Sequence, residues 1–400
     1  MTHKERMLCT LRGKPTDMIP WAPRLDLWYN ANKHAGTLPA KYRNATLRDI
    51  TDDLDFGYHA IVPQFKDLRN SHDDLHRALG IYNLWTMPYS TRLQNVDVAM
   101  RTEGDKTHVA YHTPVGTIAT TVVYDESMRK AGASITHISE HAIKGYKDYP
   151  AVEYIFENAE VVPNFAGYQE FADYVGDRGI AAAFLSLAAS PMHLLQRELM
   201  PMELFFYELH DHPEELTRCA ASIGGYFERM FDVCSRSPSD LFLLGANYDT
   251  SVTYQPFFSE HITPWLKKFA NMLHLTDKFL LTHTDGENTD LLDCYLESEI
   301  DVADSICPVP MTKLTFKEVR EHFRSRITIM GGIPSICLLE DSMPDGKFEA
   351  YLESFFSDLG SGDHLILGIS DTTPPAADFE RIKSIGERVR SFGPVECTSL

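Results

Sequence analysis

Three side chains of types that bind zinc occur in the second half of the chain. His283 and Asp285 directly follow an apolar run, and Cys307 follows the next apolar run along the sequence. Imidazole, carboxylate and thiolate groups are all zinc ligands, and a catalytic zinc needs three protein ligands and one open position. Asp371, after a later apolar run, is a candidate for a further ligand. These residues predict a metal site. The alternative is that His283 only forms hydrogen bonds, Asp285 caps a helix and Cys307 packs in the core.

Three further residues are candidates for binding a substrate. Arg24 and Asp26 follow an early apolar run, residues 19–22, and their charges could contact a substrate or form a structural ion pair. His193 follows another apolar run, and its ring could face a pocket or lie in the first turn of a helix. Arg24, Asp26 and His193 are therefore predicted substrate-binding residues.

The elements that must position these side chains are short apolar runs separated by longer amphipathic segments. Continuous apolar runs of this length are typical of parallel strands that are buried on both faces. Six runs lie from residue 180 onwards, at 180–185, 241–244, 279–282, 302–306, 327–330 and 365–367, and two lie earlier, at 19–22 and 60–63. Eight strands that alternate with helices predict a TIM (β/α)8 barrel, in which catalytic groups lie at the carboxyl ends of the strands.

One stretch departs from this alternation of strand and helix. Residues 96–124 alternate apolar and polar side chains around turn signals at Gly104-Asp105 and Pro114-Val115-Gly116. Such a pattern predicts an antiparallel β-hairpin or meander. We interpret it as an insertion over the barrel, so that residues 1–400 form a single barrel domain that includes an insertion at 90–130.

Composition and charge exclude several classes of partner. The formal net charge is −20, which repels nucleic-acid phosphates and anionic lipids, so we expect neither nucleic acid nor a membrane as a partner. The amino-terminal residues do not resemble a signal peptide, and no apolar run is long enough for a transmembrane helix. The seven cysteines are scattered without a CxxC pair, which fits a reducing cytoplasm.

Two amino-terminal motifs resemble the uroporphyrinogen decarboxylase superfamily. Residues 13–20 (GKPTDMIP) resemble the entry motif of that superfamily, with Met18 in place of the usual arginine. Residues 35–43 (AGTLPAKYR) are similar to the A-G-R-Y-L-P-E-Y-R segment of the decarboxylase. The resemblance runs over nearly the whole chain and implies a barrel fold.

The departures from that pattern argue against porphyrin decarboxylation. Lys33 and His34 stand where the decarboxylases have arginine and glutamine, and Thr37 stands near a second arginine. Lysine and threonine cannot form the two-pronged bond of a guanidinium to a carboxylate. The P-F-T motif of the family is replaced by residues 189–192 (ASPM).

The other branch of the superfamily, the zinc-dependent corrinoid methyltransferases, is closer in residue types. Its H-x-C-G motif is matched by residues 283–286 (HTDG), in which Asp285 replaces the cysteine. A related enzyme places a ligand on the next strand, where this chain has Cys307. The late cysteine of the methyltransferases is missing, and Asp371 is the nearest substitute. The resemblance thus implies a zinc ion held by His283, Asp285, Cys307 and Asp371.

An oxygen-richer zinc site is more Lewis-acidic than a thiolate site and suits cleavage of an ether. The resemblance therefore implies O-demethylation of a small methylated molecule, such as a methyl ether, with transfer of the methyl group to a corrinoid. The sequence has no D-x-H-x-x-G motif, so the corrinoid is expected on a separate protein. Tyr248, Asp249 and Glu287 are the predicted catalytic residues, which would position the substrate or move a proton. The alternative is a cofactor-free decarboxylase.

Overall fold

The structure is a computed structural model that describes residues 1–70 and 73–396. Within these residues the chain forms twelve strands and fifteen α-helices. The strands are β1 (Tyr89–Leu93), β2 (Asp97–Glu103), β3 (Lys106–Thr113), β4 (Gly116–Val123), β5 (His137–Glu140), β6 (Ala159–Pro163), β7 (Ala183–Ser186), β8 (Leu241–Ala246), β9 (Phe279–His283), β10 (Val302–Ile306), β11 (Thr328–Pro334) and β12 (Leu365–Ser370).

The described residues also form fifteen α-helices. They are α1 (His3–Leu11), α2 (Asp26–Ala35), α3 (Leu47–Leu54), α4 (Glu126–Lys130), α5 (Tyr149–Glu157), α6 (Phe165–Val175), α7 (Pro191–Leu194), α8 (Met202–Asp211), α9 (Pro213–Ser235), α10 (Gln255–Phe257), α11 (Thr263–His274), α12 (Leu292–Glu297), α13 (Phe316–Phe323), α14 (Asp345–Asp358) and α15 (Phe379–Phe392). No helix in the described part of the chain is long and apolar enough to cross a membrane.

A six-stranded parallel sheet forms the centre of the molecule. Its order is β12-β11-β10-β9-β8-β7, so strands that follow one another in the sequence are neighbours in space. Each of the six apolar runs predicted as strands overlaps one of these strands, although residues 180–182 precede β7, and all but one of the strand residues are buried. The prediction of parallel strands covered on both faces is confirmed for these six.

The two predicted amino-terminal strands, residues 19–22 and 60–63, do not form regular strands. Residues 19–22 lie beside β12, where the Ala22 amide donates to the Leu367 carbonyl at 2.9 Å. Residue 60 lies beside the start of β7, where the Ala182 amide donates to the Ala60 carbonyl at 2.9 Å. Prolines 20 and 63 lack the N–H group that a strand ladder requires, which accounts for the short pairing. The structure therefore has six regular parallel strands, and the eight-stranded barrel stays a prediction.

The insertion predicted at 96–124 is an antiparallel meander. Strands β2, β3 and β4 pair in order, and a fourth strand, β5, pairs with β4. The sequence analysis did not include β5, because it has only four residues and is separated from β4 by α4. A second antiparallel pair, β1 with β6, was also not predicted.

Candidate metal centre

The carboxyl ends of three parallel strands bring the chemically active side chains together. His283 is the last residue of β9, Asp304 lies in β10 opposite His283, and Asp371 follows the last residue of β12. Asp285 lies in the loop two residues beyond β9. Because parallel strands end at the same edge of a sheet, residues distant in the sequence meet at one site.

His283, Asp285 and Asp371 form a group that could hold a metal ion, and we call these three residues the metal group. The distance from His283 Nε2 to Asp371 Oδ1 is 3.0 Å, and that to Asp285 Oδ1 is 3.7 Å. One ligand atom from each of the three residues lies within 4.8 Å of the others, and no further group of this kind occurs in residues 1–70 and 73–396. One nitrogen and two oxygen donors are a set that zinc accepts.

Asp304 fixes the orientation of the His283 ring. Its Oδ2 atom lies 2.6 Å from His283 Nδ1, and both side chains are buried. With Nδ1 donating to this carboxylate, the neutral ring presents the lone pair of Nε2 towards Asp285 and Asp371. Histidines that bind metals commonly donate their second N–H group to a carboxylate in this way.

The charge on His283 depends on the carboxylates around it. Burial lowers the pKa of His283, but the three neighbouring carboxylates outweigh burial and raise the pKa well above its usual range. A cation bound at Nε2 must therefore displace a proton, and its affinity falls at low pH.

A bulge in β10 lets two consecutive residues reach the same site. The pairing of β10 with β11 shifts between Asp304 and Ile306, and Ser305 has a positive φ of 69°. Ser305 Oγ donates to Asp371 Oδ1 at 3.2 Å, while Asp304 contacts His283. In a regular strand consecutive side chains point to opposite faces, so the bulge is what aims both of them at the site.

Asp285 has one buried oxygen that lacks a hydrogen-bond partner among the described residues and lies 3.7 Å from His283 Nε2. Its Oδ2 accepts a hydrogen bond from Asn247 Nδ2 at 2.8 Å, whereas the buried Oδ1 has no hydrogen-bond partner within the described residues. Burial raises the pKa of Asp285. A buried carboxylate oxygen without a partner is unfavourable, and a cation between it and His283 Nε2 would satisfy it. This orphaned atom is an independent indication that the group fits a metal ion.

Asp371 is held on the opposite side by Arg24. Arg24 Nη1 donates to Asp371 Oδ1 at 2.8 Å, and Arg24 Nε donates to Asp26 Oδ1 at 3.1 Å. Burial alone would raise the pKa of Asp371, but the positive charges of His283 and Arg24 have the larger effect. The pKa of Asp371 is therefore lowered, and the carboxylate stays ionised. Arg24 and Asp26, predicted to bind substrate, thus form an ion pair that borders the metal group.

The structure does not bring Cys307 into this group of ligand atoms. The thiol is buried and donates to the Pro308 carbonyl at 3.9 Å, and burial raises its pKa to about 12. A thiol in such surroundings stays protonated in the absence of a metal. The prediction that Cys307 binds the metal therefore gains no support from the geometry, in contrast to His283, Asp285 and Asp371.

The three predicted catalytic residues lie at the ends of β8 and β9. Tyr248 is buried, and its hydroxyl forms a 2.7 Å hydrogen bond with Thr282 Oγ1. Asp249 Oδ2 accepts from the Glu287 amide at 3.3 Å, and Glu287 Oε2 accepts from the Lys313 amide at 3.0 Å. In this structure the three side chains hold neighbouring loops together, and their predicted catalytic roles stay predictions.

Two concave regions flank the metal group. The first is a cavity of about 310 Å³ whose walls include Arg24, Asp26 and His59 together with several aromatic side chains. The second is a cleft of about 350 Å³ lined in part by His193 and Asn247. The predicted substrate-binding residues are therefore divided between two regions, with Arg24 and Asp26 in one and His193 in the other.

The sequence analysis missed three residues that shape this site. Asp304 and Ser305 were treated as part of an apolar strand, and only the bulge reveals that both face the metal group. His59 lies one residue before the predicted strand 60–63, so it was not considered a strand-end residue. Its pKa is lowered to about 4 by burial, so the ring is neutral beside the site. Because His59 lies at the amino end of that predicted strand and catalytic groups are expected at carboxyl ends, no signal in the sequence pointed to it.

Comparisons with known proteins found a likeness of fold. No family model matches the chain, and no curated protein matches it by sequence. Among solved structures, a methyltransferase from Methanosarcina mazei is similar, with a TM-score of 0.54 and 13% sequence identity. The match covers 98% of this chain and 98% of that chain. At this identity the likeness demonstrates a shared fold over the whole length.

Proposed function

We propose that this protein is a zinc-dependent methyltransferase whose metal is held by His283, Asp285 and Asp371. One observation carries the proposal: His283 Nε2 faces a carboxylate oxygen of Asp285 and one of Asp371, while Asp304 holds Nδ1. The similar fold of a Methanosarcina mazei methyltransferase supports the class of reaction. We propose that residues 19–22 and 60–63 complete an eight-stranded barrel between β12 and β7, because the Ala22 amide donates to Leu367 of β12 and the Ala60 carbonyl accepts from Ala182 next to β7.

The proposed reaction moves a methyl group from a small methylated molecule, such as a methyl ether, to a corrinoid carried by a separate protein. The carbon–oxygen bond breaks, and a carbon–cobalt bond forms with the electron pair of Co(I). The oxygen leaves as an alkoxide or phenolate. A zinc ion with an oxygen-rich donor set would act as the Lewis acid that stabilises this leaving oxygen.

The residues around the metal group have separate tasks in this proposal. Asp304 orients His283, Asn247 holds one oxygen of Asp285, and Arg24 holds Asp371. These contacts fix the donor atoms before a metal binds, which lowers the cost of assembling the site. Tyr248, Asp249 and Glu287 are proposed to position the substrate or to move a proton near the leaving oxygen.

The cavity beside Arg24 is the proposed site for the apolar part of the methyl donor. Trp85, Phe171 and Tyr174 contribute aromatic walls, and His59 and Arg24 form the wall next to the metal group. An aromatic cavity of this size excludes water and suits a small ring-containing ligand. Exclusion of water protects both the Co(I) nucleophile and the polarised ether during transfer.

Metal analysis of the purified protein tests the proposal. We expect about one zinc per chain in the wild type and its loss in His283→Ala and Asp285→Ala. His274→Ala is the matched control, because His274 also pairs with an aspartate, Asp301, but at the opposite end of the sheet. The metal-loaded protein should demethylate a methyl ether in the presence of a Co(I) corrinoid.

Two results would contradict this function. A wild-type protein that contains no metal after expression in zinc-supplemented medium would remove the basis of the proposal. Activity on a carboxylated substrate in metal-free protein would favour the alternative, a cofactor-free decarboxylase.

A further inference from the structure

We propose that the cleft beside Asp285 binds the carboxylate of a monoanionic substrate through Arg197 and His193. The basic cleft, as we call it, is the region of about 350 Å³ whose walls include Arg77, His193, Arg197, Glu198 and Asn247. That the other end of this ligand carries the transferred methyl group rests on the proposed function. Recognition of the carboxylate itself does not depend on it.

The basic cleft has an excess of positive charge in a strongly acidic protein. Arg77 Nη1 contacts Glu198 Oε2 at 2.5 Å, and Arg197 Nε contacts Glu198 Oε1 at 3.1 Å. Two guanidinium groups thus share one buried carboxylate among the side chains that line the cleft, and Asp285, beside the cleft, also interacts electrostatically with Arg197. The chain as a whole has a net charge of −20, so this cleft is an exception to its surroundings.

Arg197 has hydrogen-bonding capacity that the protein does not use. Its Nη1 donates to the Ala246 carbonyl at 3.2 Å and its Nε donates to Glu198, whereas Nη2 meets no acceptor in the part of the chain that the structure describes. Its side chain is 23% exposed, so the unused N–H groups are open to a ligand. Arginine in a fixed position with free N–H groups is a typical carboxylate anchor.

His193 supplies a second, uncharged donor. Its Nδ1 accepts a hydrogen bond from the Ala189 amide at 3.1 Å, so the ring proton resides on Nε2. No described residue accepts a hydrogen bond from that Nε2–H group. Burial lowers the pKa of His193 to about 3, which keeps the ring neutral under physiological conditions. His193 therefore adds a directional donor to the cleft without adding a charge.

The charge balance favours a monoanion such as a carboxylate over a phosphate dianion. The Arg197 guanidinium and the neutral His193 imidazole match a single negative charge, while a dianion would place a second negative charge in a partly buried cleft beside Asp285. Arg24, in the neighbouring cavity, is already paired with both Asp26 and Asp371. Arg197 is thus the better anchor for an anionic group.

The basic cleft is connected to the metal group through Asn247. This residue lines the cleft, and its Nδ2 lies 2.8 Å from Asp285 Oδ2. A ligand whose carboxylate is bound by Arg197 would therefore extend its remaining atoms towards Asp285. The inferred substrate class is a small methylated monocarboxylate.

Calorimetric titration compares 4-methoxybenzoate with its neutral isostere 4-methoxybenzamide. We expect the carboxylate to bind the wild type, and Arg197→Gln to weaken its affinity about 10- to 100-fold, as is typical for loss of a charged hydrogen-bonding partner. Arg197→Lys, which keeps the charge but not the two-pronged geometry, should lie in between. Arg236→Gln is the control, since Arg236 is an exposed arginine that pairs with Asp232.

The outcomes separate this inference from the proposed function. Equal affinity for the carboxylate and the amide, or unchanged affinity in Arg197→Gln, would overturn it, as would tighter binding of inorganic phosphate. If Arg197→Gln does not fold, carboxylate recognition is tested by the same titrations on His193→Phe and by the comparison of the carboxylate with the amide on the wild type. Carboxylate binding that persists in His283→Ala, together with absence of zinc from the wild type, would refute the methyltransferase and leave the carboxylate site standing.

Discussion

Substitution of Asp304 tests whether the hydrogen bond behind His283 tunes the metal group. Asp304 Oδ2 lies 2.6 Å from His283 Nδ1 in a buried position, so the contact is short, ionic and shielded from water. Removal of such a partner typically lowers metal affinity about 10- to 100-fold, or about 1.4 to 2.8 kcal/mol. Asp304→Asn keeps an acceptor oxygen, so its loss of metal affinity should be near 10-fold. Asp304→Ala leaves the Nδ1–H group without a partner, so its loss should be near 100-fold.

The assay is competition for zinc between the protein and a chromophoric chelator at constant pH. The backbone of Asp304 is held independently, because its carbonyl accepts from both the amide and the hydroxyl of Thr284. The substituted chain should therefore keep its local conformation. Asp301→Asn is the matched control: Asp301 also contacts a histidine, His274, but lies at the opposite end of the same strand.

Two results would contradict this role of Asp304. If Asp304→Ala binds zinc as tightly as the wild type while remaining folded, Asp304 does not support a metal ligand. If Asp301→Asn weakens zinc binding as much as Asp304→Asn, the effect reports a general loss of stability and not the orientation of His283.

Two further predictions concern stability. Gly245→Ala should destabilise the fold by about 2 to 4 kcal/mol, because a positive φ and overpacking both add cost. The new Cβ would lie 2.0 Å from the Tyr248 hydroxyl, at a residue with φ of 83°. Urea denaturation should show this loss, and Gly346→Ala, where the added Cβ meets nothing, should not. The folded-state pKa of His193, about 3, lies below its unfolded value of 6.5, so the unfolded chain takes up the proton first as pH falls. The free energy of unfolding therefore falls as the pH drops below about 6.5, and His193 accounts for a loss of about 2 kcal/mol at pH 5. His193→Gln should remove that part of the pH dependence, and an unchanged slope in denaturation between pH 7 and 5 would contradict it.

The structure brings together some of the site residues predicted from the sequence and leaves others apart. His283 and Asp285 were identified because polar residues directly after an apolar run mark the end of a buried strand. Asp371 was identified for the same reason, and the structure places it 3.0 Å from His283. Cys307 satisfied the same criterion, yet its thiol does not join the ligand atoms. Position along a strand predicts which edge of the sheet a residue occupies, but not where its side chain points.

The residues that the sequence could not reveal depend on local irregularity. Asp304 and Ser305 share the site only because β10 bulges between them. Residues 302–306 (VADSI) include two consecutive polar residues, but their order along the chain does not show a bulge, since the register shift arises from pairing with the neighbouring strand. The contact of Asn247 with Asp285 could not be predicted from the sequence either, because it joins two loops through residues that are 38 positions apart.

The sequence by itself determined the six buried parallel strands, the antiparallel insertion and the edge of the sheet at which polar residues gather. These follow from local periodicity and from the low cost of burying continuous apolar runs. Only the tertiary structure decided which side chains converge. It places Asp304 against His283 Nδ1 and leaves one oxygen of Asp285 without a hydrogen-bond partner among the described residues. Such contacts depend on distances of a few ångströms between separate strands and loops. Packing and strand register set these distances, and they cannot be read from the order of residues along the chain.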